Sequence, residues 1–170
     1  MPLKNIISKT IFLLALVPTT IQGVNAQKVK KNKKPAIVFT KEMIEKKGFV
    51  FVPTIMMPMR GNSRSITSDY QLSVTKDTVV SYLPYIGRAT TAPLLAGENG
   101  YDFTSTSFDY KIKDNKKSGW DITIKPKDKM NVQQFALRVF DNGSASLNIS
   151  SMNRDPISYS GYITAGNQKE

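Results

Sequence analysis

Phe108-Asp109-Tyr110-Lys111-Ile112 is answered across a polar gap by Trp120-Asp121-Ile122-Thr123-Ile124. In both runs apolar and polar residues alternate at period two, the pattern of a strand with one face on a core and the other in water. A helix would instead space its apolar residues three and four apart. Setting Ile112 opposite Trp120 places Tyr110 against Ile122 and Phe108 against Ile124, while Lys111 meets Asp121 and Asp109 meets Thr123 on the wet side. The register therefore predicts a hairpin closed by the polar run Asp114-Asn115-Lys116-Lys117-Ser118, with Lys111 and Asp121 paired in solvent.

The same alternation runs from Phe49 nearly to the end of the chain. Phe49 and Phe51 share a face, as do Tyr70, Leu72 and Val74; Tyr101 and Phe103; Phe135, Leu137 and Val139; Ala145, Leu147 and Ile149; and Ile157, Tyr159 and Ile163. With Thr78 to Leu83 this gives about nine antiparallel strands, a number that suits a closed barrel or a two-sheet sandwich. At Asp141-Asn142-Gly143 a two-residue turn would set Val139 against Ser146 and Arg138 against Leu147. A three-residue loop with Gly143 left-handed matches Val139 to Ala145, Leu137 to Leu147 and Phe135 to Ile149, and is the form expected.

Ahead of the strands, Ile37, Val38, Met43 and Ile44 recur at helical spacing, with Thr40 as a cap, Glu42 in the first turn and Gly48 after a basic end. One short N-terminal helix is expected there, covering an edge or end of the sheet. Pro58 to Ser68 has no periodicity and reads as the longest irregular connection, preceded by Met56, Met57 and Met59 as loose core at a strand end.

At the amino terminus Lys4 and Lys9 precede an apolar run from Ile11 to Val17, and Val24-Asn25-Ala26 offers small residues for cleavage. This pattern predicts a secretory signal over 1–26 and no membrane span, because the apolar run is far short of the roughly 20 residues a bilayer requires. Residues 27–35 read as a Lys-rich flexible linker, and 36–166 as one domain. The whole chain carries +11, but from Pro35 onward 17 basic residues stand against 13 acidic ones, a balance of only +4. Interleaved signs make a soluble surface, and no nucleic-acid partner is expected.

The chain has no histidine and no cysteine. That removes imidazole bases, thiolate nucleophiles, disulfides and the usual zinc sites. A glycosidase needs only two carboxylates, but Asp102, Asp109, Asp114, Asp121, Asp128 and Asp141 fall at turns or on outward faces, where a carboxyl makes a poor proton donor. The expectation is no enzyme, no cofactor and no metal.

What remains is Tyr82-Leu83-Pro84-Tyr85-Ile86-Gly87-Arg88-Ala89, a strand end stiffened by Pro84 and turned by Gly87. Together with Tyr101-Asp102-Phe103, Asp109-Tyr110 and Tyr159-Ser160-Gly161-Tyr162-Ile163, this corner resembles a bacterial family of secreted proteins known as domain-of-unknown-function family 4251. The likeness spans about Phe49 to Ile163, with Ile86 where many members have an aromatic. It implies a periplasmic or cell-surface location and a lipocalin-like barrel, and it supplies no activity.

The leading expectation is a non-enzymatic binding module taking a small apolar or amphipathic ligand in the barrel or at its mouth. Tyr82 and Tyr85 would give contact area there and Arg88 would hold an anionic head. The alternative is an envelope protein with a filled core that contacts a partner protein. Large side chains packed through the interior would favour the second; a void of several hundred cubic ångströms would favour the first.

Overall fold

The structure, a computed structural model, describes residues 34–90, 100–115, 119–129 and 131–166, with side chains from Thr40 onward. The expected signal, residues 27–33 of the expected linker, Lys116-Lys117-Ser118 of the expected hairpin loop, and the side chains of Ile37 and Val38 lie outside the described residues, while the last two linker residues, Lys34 and Pro35, begin a helix. A helix, α1 (Lys34–Glu45), leads into ten strands: β1 (Phe49–Pro58), β2 (Arg64–Ser65), β3 (Gln71–Val74), β4 (Val79–Pro84), β5 (Gly100–Ser105), β6 (Phe108–Asp114), β7 (Trp120–Pro126), β8 (Val132–Val139), β9 (Ser144–Ser151) and β10 (Ile157–Ala165).

Nine of them lie in the order β5-β4-β3-β1-β10-β9-β8-β7-β6, and β2 pairs with β1. The result is an all-β, nearly closed antiparallel barrel. Every neighbouring pair on this path is antiparallel, so its first and last members, β5 and β6, must run in the same direction. Only Thr106 and Ser107 join them, whereas a return crossover between parallel strands needs a dozen residues or more. β5 and β6 are thus two halves of one bent strand, the first half paired to β4 and the second to β7. The ring closes by that bend, and among the described residues each half keeps one edge without a neighbouring strand.

The β8–β9 hairpin has the expected register, with Val139 opposite Ala145, Leu137 opposite Leu147 and Phe135 opposite Ile149. Gly143 has φ +82°, and the loop closes with the Phe140 N–H on Ser144 O at 2.9 Å. The β6–β7 hairpin differs from expectation by two residues: Ile112 faces Ile122, Tyr110 faces Ile124, and Asp121 faces Lys113. A two-residue slip keeps every side chain on its expected face, so alternation alone cannot detect it. Lys111 accordingly faces Thr123, and Asp121 instead binds Arg138, with Nε to Oδ1 at 2.7 Å.

Two further details depart from the sequence reading. Pro58 to Ser68 contains the short strand β2, whose Arg64 and Ser65 sit opposite Met56 and Ile55. Tyr70 lies just before β3 and turns outward, its ring 4.8 Å from that of exposed Tyr82.

Pro35 occupies the first turn of α1, where its missing N–H has no bond to lose. Thr40, expected as a cap, is buried inside the helix. The left-handed residue at the helix end is Lys47 (φ 54°), not Gly48. Gly48 N–H reaches Met43 O at 2.9 Å and Lys47 N–H reaches Ile44 O at 3.3 Å, the paired bonds that close a helix terminus. A side chain in that conformation costs about 1 kcal/mol. The ammonium of Lys47 lies over the rings of Tyr110 and Phe108, at 5.2 and 5.7 Å, which offsets part of it. Tyr110 also donates its hydroxyl to Ile44 O at 2.9 Å, fixing the helix end to β6.

Candidate binding site at the corner and open edge

β4 stops at Pro84, which has no N–H with which to carry a ladder further, while its carbonyl accepts the hydroxyl of buried Tyr159 at 2.5 Å. The chain then turns through Gly87, where an added Cβ would fall 2.4 Å from the Tyr85 hydroxyl. That hydroxyl donates to Arg88 O at 2.7 Å, and Asp155 N–H donates to the same carbonyl at 3.0 Å. Ala89 bridges Arg154, and Thr90 N–H reaches Asn153 O at 2.8 Å. The corner is therefore stitched to the β9–β10 connection.

Arg154 holds this junction together. Its guanidinium carbon lies 5.0 Å from the Tyr85 ring and 5.1 Å from the Tyr101 ring, and those rings meet edge to face at 5.6 Å. One nitrogen donates to Gly100 O at 2.7 Å. Burial pushes the Tyr101 phenol up to about 12, with the Arg154 charge opposing. The Tyr101 hydroxyl makes no hydrogen bond of normal geometry among the described residues, although Ser151 lies close enough to ease its ionisation slightly. Burial also raises Tyr85, and the Asp155 charge adds to it.

Of the three residues expected to bind, Tyr85 belongs to this cluster. Tyr82 points from the outer wall of β4, 45% exposed and beside Tyr70. Arg88 contributes its carbonyl to the junction while its side chain stands in solvent. Tyr101 and Arg154 are the partners that sequence reasoning did not assemble. Tyr101 carried the alternation of an ordinary core residue, and Arg154 sits in a turn with no periodicity.

Beside the junction lies a half-open cleft of about 270 Å³, with Tyr101, Asp102 and Phe103 of β5 on one side, Asp128, Lys129, Asn131 and Val132 on the other, and Arg154 at one end. Asp128 takes the Ser105 hydroxyl at 2.5 Å and the Thr106 N–H at 3.1 Å, and the first of these bonds chiefly lowers its pKa. Asp109 is held below the usual carboxylate range by Lys127, 2.6 Å away. With Asp121 on Arg138, these acids are engaged in surface structure. A second, wider groove of about 470 Å³ runs over the outer wall of β7, β8 and β9, beside the Asp121–Arg138 pair, Thr123, Ala136, Ser146 and Asn148. Among the described residues no group of three or more acidic side chains could hold a metal ion.

The interior is packed. Ile44, Phe49, Phe51, Leu72, Val79, Ile124, Phe135, Val139, Leu147, Ile149 and Tyr159 are each 0% exposed. A side chain lining a void that admits water would show surface to a water-sized sphere, and these show none. They come from α1 and from β1, β3, β4, β7, β8, β9 and β10, and form one cluster with Leu83, Ile122 and Leu137. The barrel is a core, with its accessible openings at the wall.

A family model described as "Domain of unknown function (DUF4251)" matches residues 28–163. A crystal structure of a DUF4251 family protein from Bacteroides eggerthii is similar in fold, with a TM-score of 0.56 at 14% identity, covering 77% of this chain and 88% of that one. No curated protein matches the chain.

Proposed function

The chain belongs to the DUF4251 family, and from that premise we propose that it is an exported, non-enzymatic protein of the cell envelope that works by contacting another protein. The observation that carries this reading is the filled interior: inward side chains from seven of the nine ring strands have no surface a ligand could touch. Export rests on Lys4, Lys9, the apolar run from Ile11 to Val17 and the small residues before Gln27. The lack of histidine and cysteine, and the engagement of the acids in surface bonds, support a role without catalysis.

A second reading, a small amphipathic ligand at the mouth, draws on the cleft beside Tyr101 and Phe103. Its volume of about 270 Å³ falls just under the roughly 300–1,000 Å³ of small-molecule pockets. Its two carboxylates, Asp102 and Asp128, balance Lys129 and Arg154, so it offers no net field to an anionic head.

Native mass spectrometry of the chain purified from its own envelope separates the two. A companion polypeptide added to a chain beginning at Gln27 is the expected result. An adduct of a few hundred daltons with no companion would replace the first reading by the second, and a retained amino terminus would end the claim of export by signal cleavage.

A further inference from the structure

The outer edge of β5 is interrupted at both ends and, among the described residues, open between them. Gly100 O accepts Arg154 from the side away from β4, and three two-residue repeats further on Thr106 N–H donates to Asp128 on that same side. Backbone groups in an antiparallel strand point to alternate sides residue by residue, so Asp102 and Thr104 present their N–H and C=O to that side too. Among the described residues β5 has a neighbouring strand on its β4 side only. The cleft lies along this edge, and Phe103 and Val132 give it apolar surface.

Resting on the reading of this protein as an interaction module, we infer that the β5 edge is its docking site. The occupant is an extended segment of a partner polypeptide, added as one more strand opposite Asp102 and Thr104. The chemistry selects this occupant over others. Two donor–acceptor pairs spaced along a strand match the backbone of another strand, and the balanced charges of Asp102, Asp128, Lys129 and Arg154 give no preference to a purely anionic or cationic ligand. Arg154 and Asp128 close the row at its two ends, which limits the added strand to about four residues at roughly 3.3 Å each. A window that short also protects the free protein from indiscriminate edge pairing.

The test is selection of an immobilised random heptapeptide library on the purified chain, followed by binding measurements on the enriched peptides. Enriched peptides should bind at least about tenfold more weakly to a Thr104→Pro variant, which removes one edge N–H on the side away from β4 and leaves the β4 ladder whole. Backbone N-methylation at alternate peptide residues should abolish binding in one of its two phases and spare it in the other, since side chains are unchanged. Amide exchange at Asp102 and Thr104 should slow in the complex; this readout also serves if Thr104→Pro fails to fold. No enrichment, equal binding of both methylation phases, or unchanged exchange at both amides would overturn the inference. If the companion seen by native mass spectrometry stays bound to folded Thr104→Pro, the interaction role stands and only its placement on β5 fails.

Discussion

The β8–β9 and β6–β7 hairpins lie side by side in the sheet, and each turns with the help of a glycine at positive φ, +82° at Gly143 and +93° at Gly119. Their surroundings differ. β8 and β9 have neighbours on both sides, and their inward residues Phe135, Leu137, Val139, Ala145, Leu147 and Ile149 are all buried. Among the described residues β6 has a neighbour only on the β7 side, Phe108 and Tyr110 are half-buried, and Ile112 at its far end is 38% exposed. The glycines differ as well: a Cβ on Gly143 would meet nothing nearer than Ile163 O at 4.0 Å, but on Gly119 it would fall 1.9 Å from Val139 O. In the inner hairpin the ladders on both sides and the core fix the register. In the outer one, a close approach at Gly119 has to do that work.

Substituting the glycines should break the comparison most sharply. Gly119→Ala forces the β7 start away from Val139 in addition to the strained dihedral, and is expected to cost about 4 kcal/mol in urea unfolding. Gly143→Ala carries the dihedral penalty alone, about 1 kcal/mol. Equal losses would mean that the approach to Val139 is not what holds the outer hairpin.

That contrast also explains what could be read from the residues. At Gly143 the alternatives differed by one position, so the wrong turn put Val139 against Ser146, and burial chose between them. At the other hairpin the alternatives differed by two, both satisfied burial, and the deciding contact between Gly119 and Val139 is with a strand the hairpin itself does not contain. The same limit hid the candidate site. The alternation of Tyr101 was legible, but its meeting with Arg154 joins β5 to the β9–β10 connection across 53 positions. Lys47 at positive φ was hidden because the rings that accommodate it, Phe108 and Tyr110, arrive from β6.

Truncating one apolar residue in each hairpin gives the next largest contrast. Leu137→Ala removes a side chain with 1% exposure and should cost about 3 kcal/mol, whereas Ile112→Ala should cost under about 1 kcal/mol because much of its surface already meets water. Comparable losses in chemical denaturation would show that β6 is as enclosed in solution as β8. Alkali supplies a graded version of the same test. Burial raises the phenols of Tyr101, Tyr110 and Tyr159, so each favours the folded state fully below the ordinary phenol pKa near 10. That contribution is lost as pH rises toward the folded values, about 12 for Tyr101. Unfolding followed by circular dichroism should therefore set in above pH 10, later for Tyr110→Phe than for the parent. An unchanged onset would remove Tyr110 from the groups that resist alkali.

The smallest effect discriminates between the two β6–β7 registers without touching the core. With Ile112 opposite Trp120, Asp121 would sit across from Lys111; in the structure Asp121 lies opposite Lys113 and Arg138, and binds the latter through Nε at 2.7 Å. Bonding to Asp121 raises the Arg138 pKa, and Asn115 also reaches Asp121 at 3.2 Å. A double-mutant cycle on Asp121→Asn and Arg138→Gln should yield a favourable coupling at low ionic strength that fades in 1 M salt, where the screening length shrinks to about 3 Å. The matching cycle on Asp121 and Lys111 should yield none, because Lys111 stands opposite Thr123. Coupling to Lys111 with none to Arg138 would mean that the hairpin adopts the longer loop in solution. The bend that makes β5 and β6 one strand would then have to be rebuilt, since Ser107 O is placed by the Lys127 N–H at 2.8 Å in the present register.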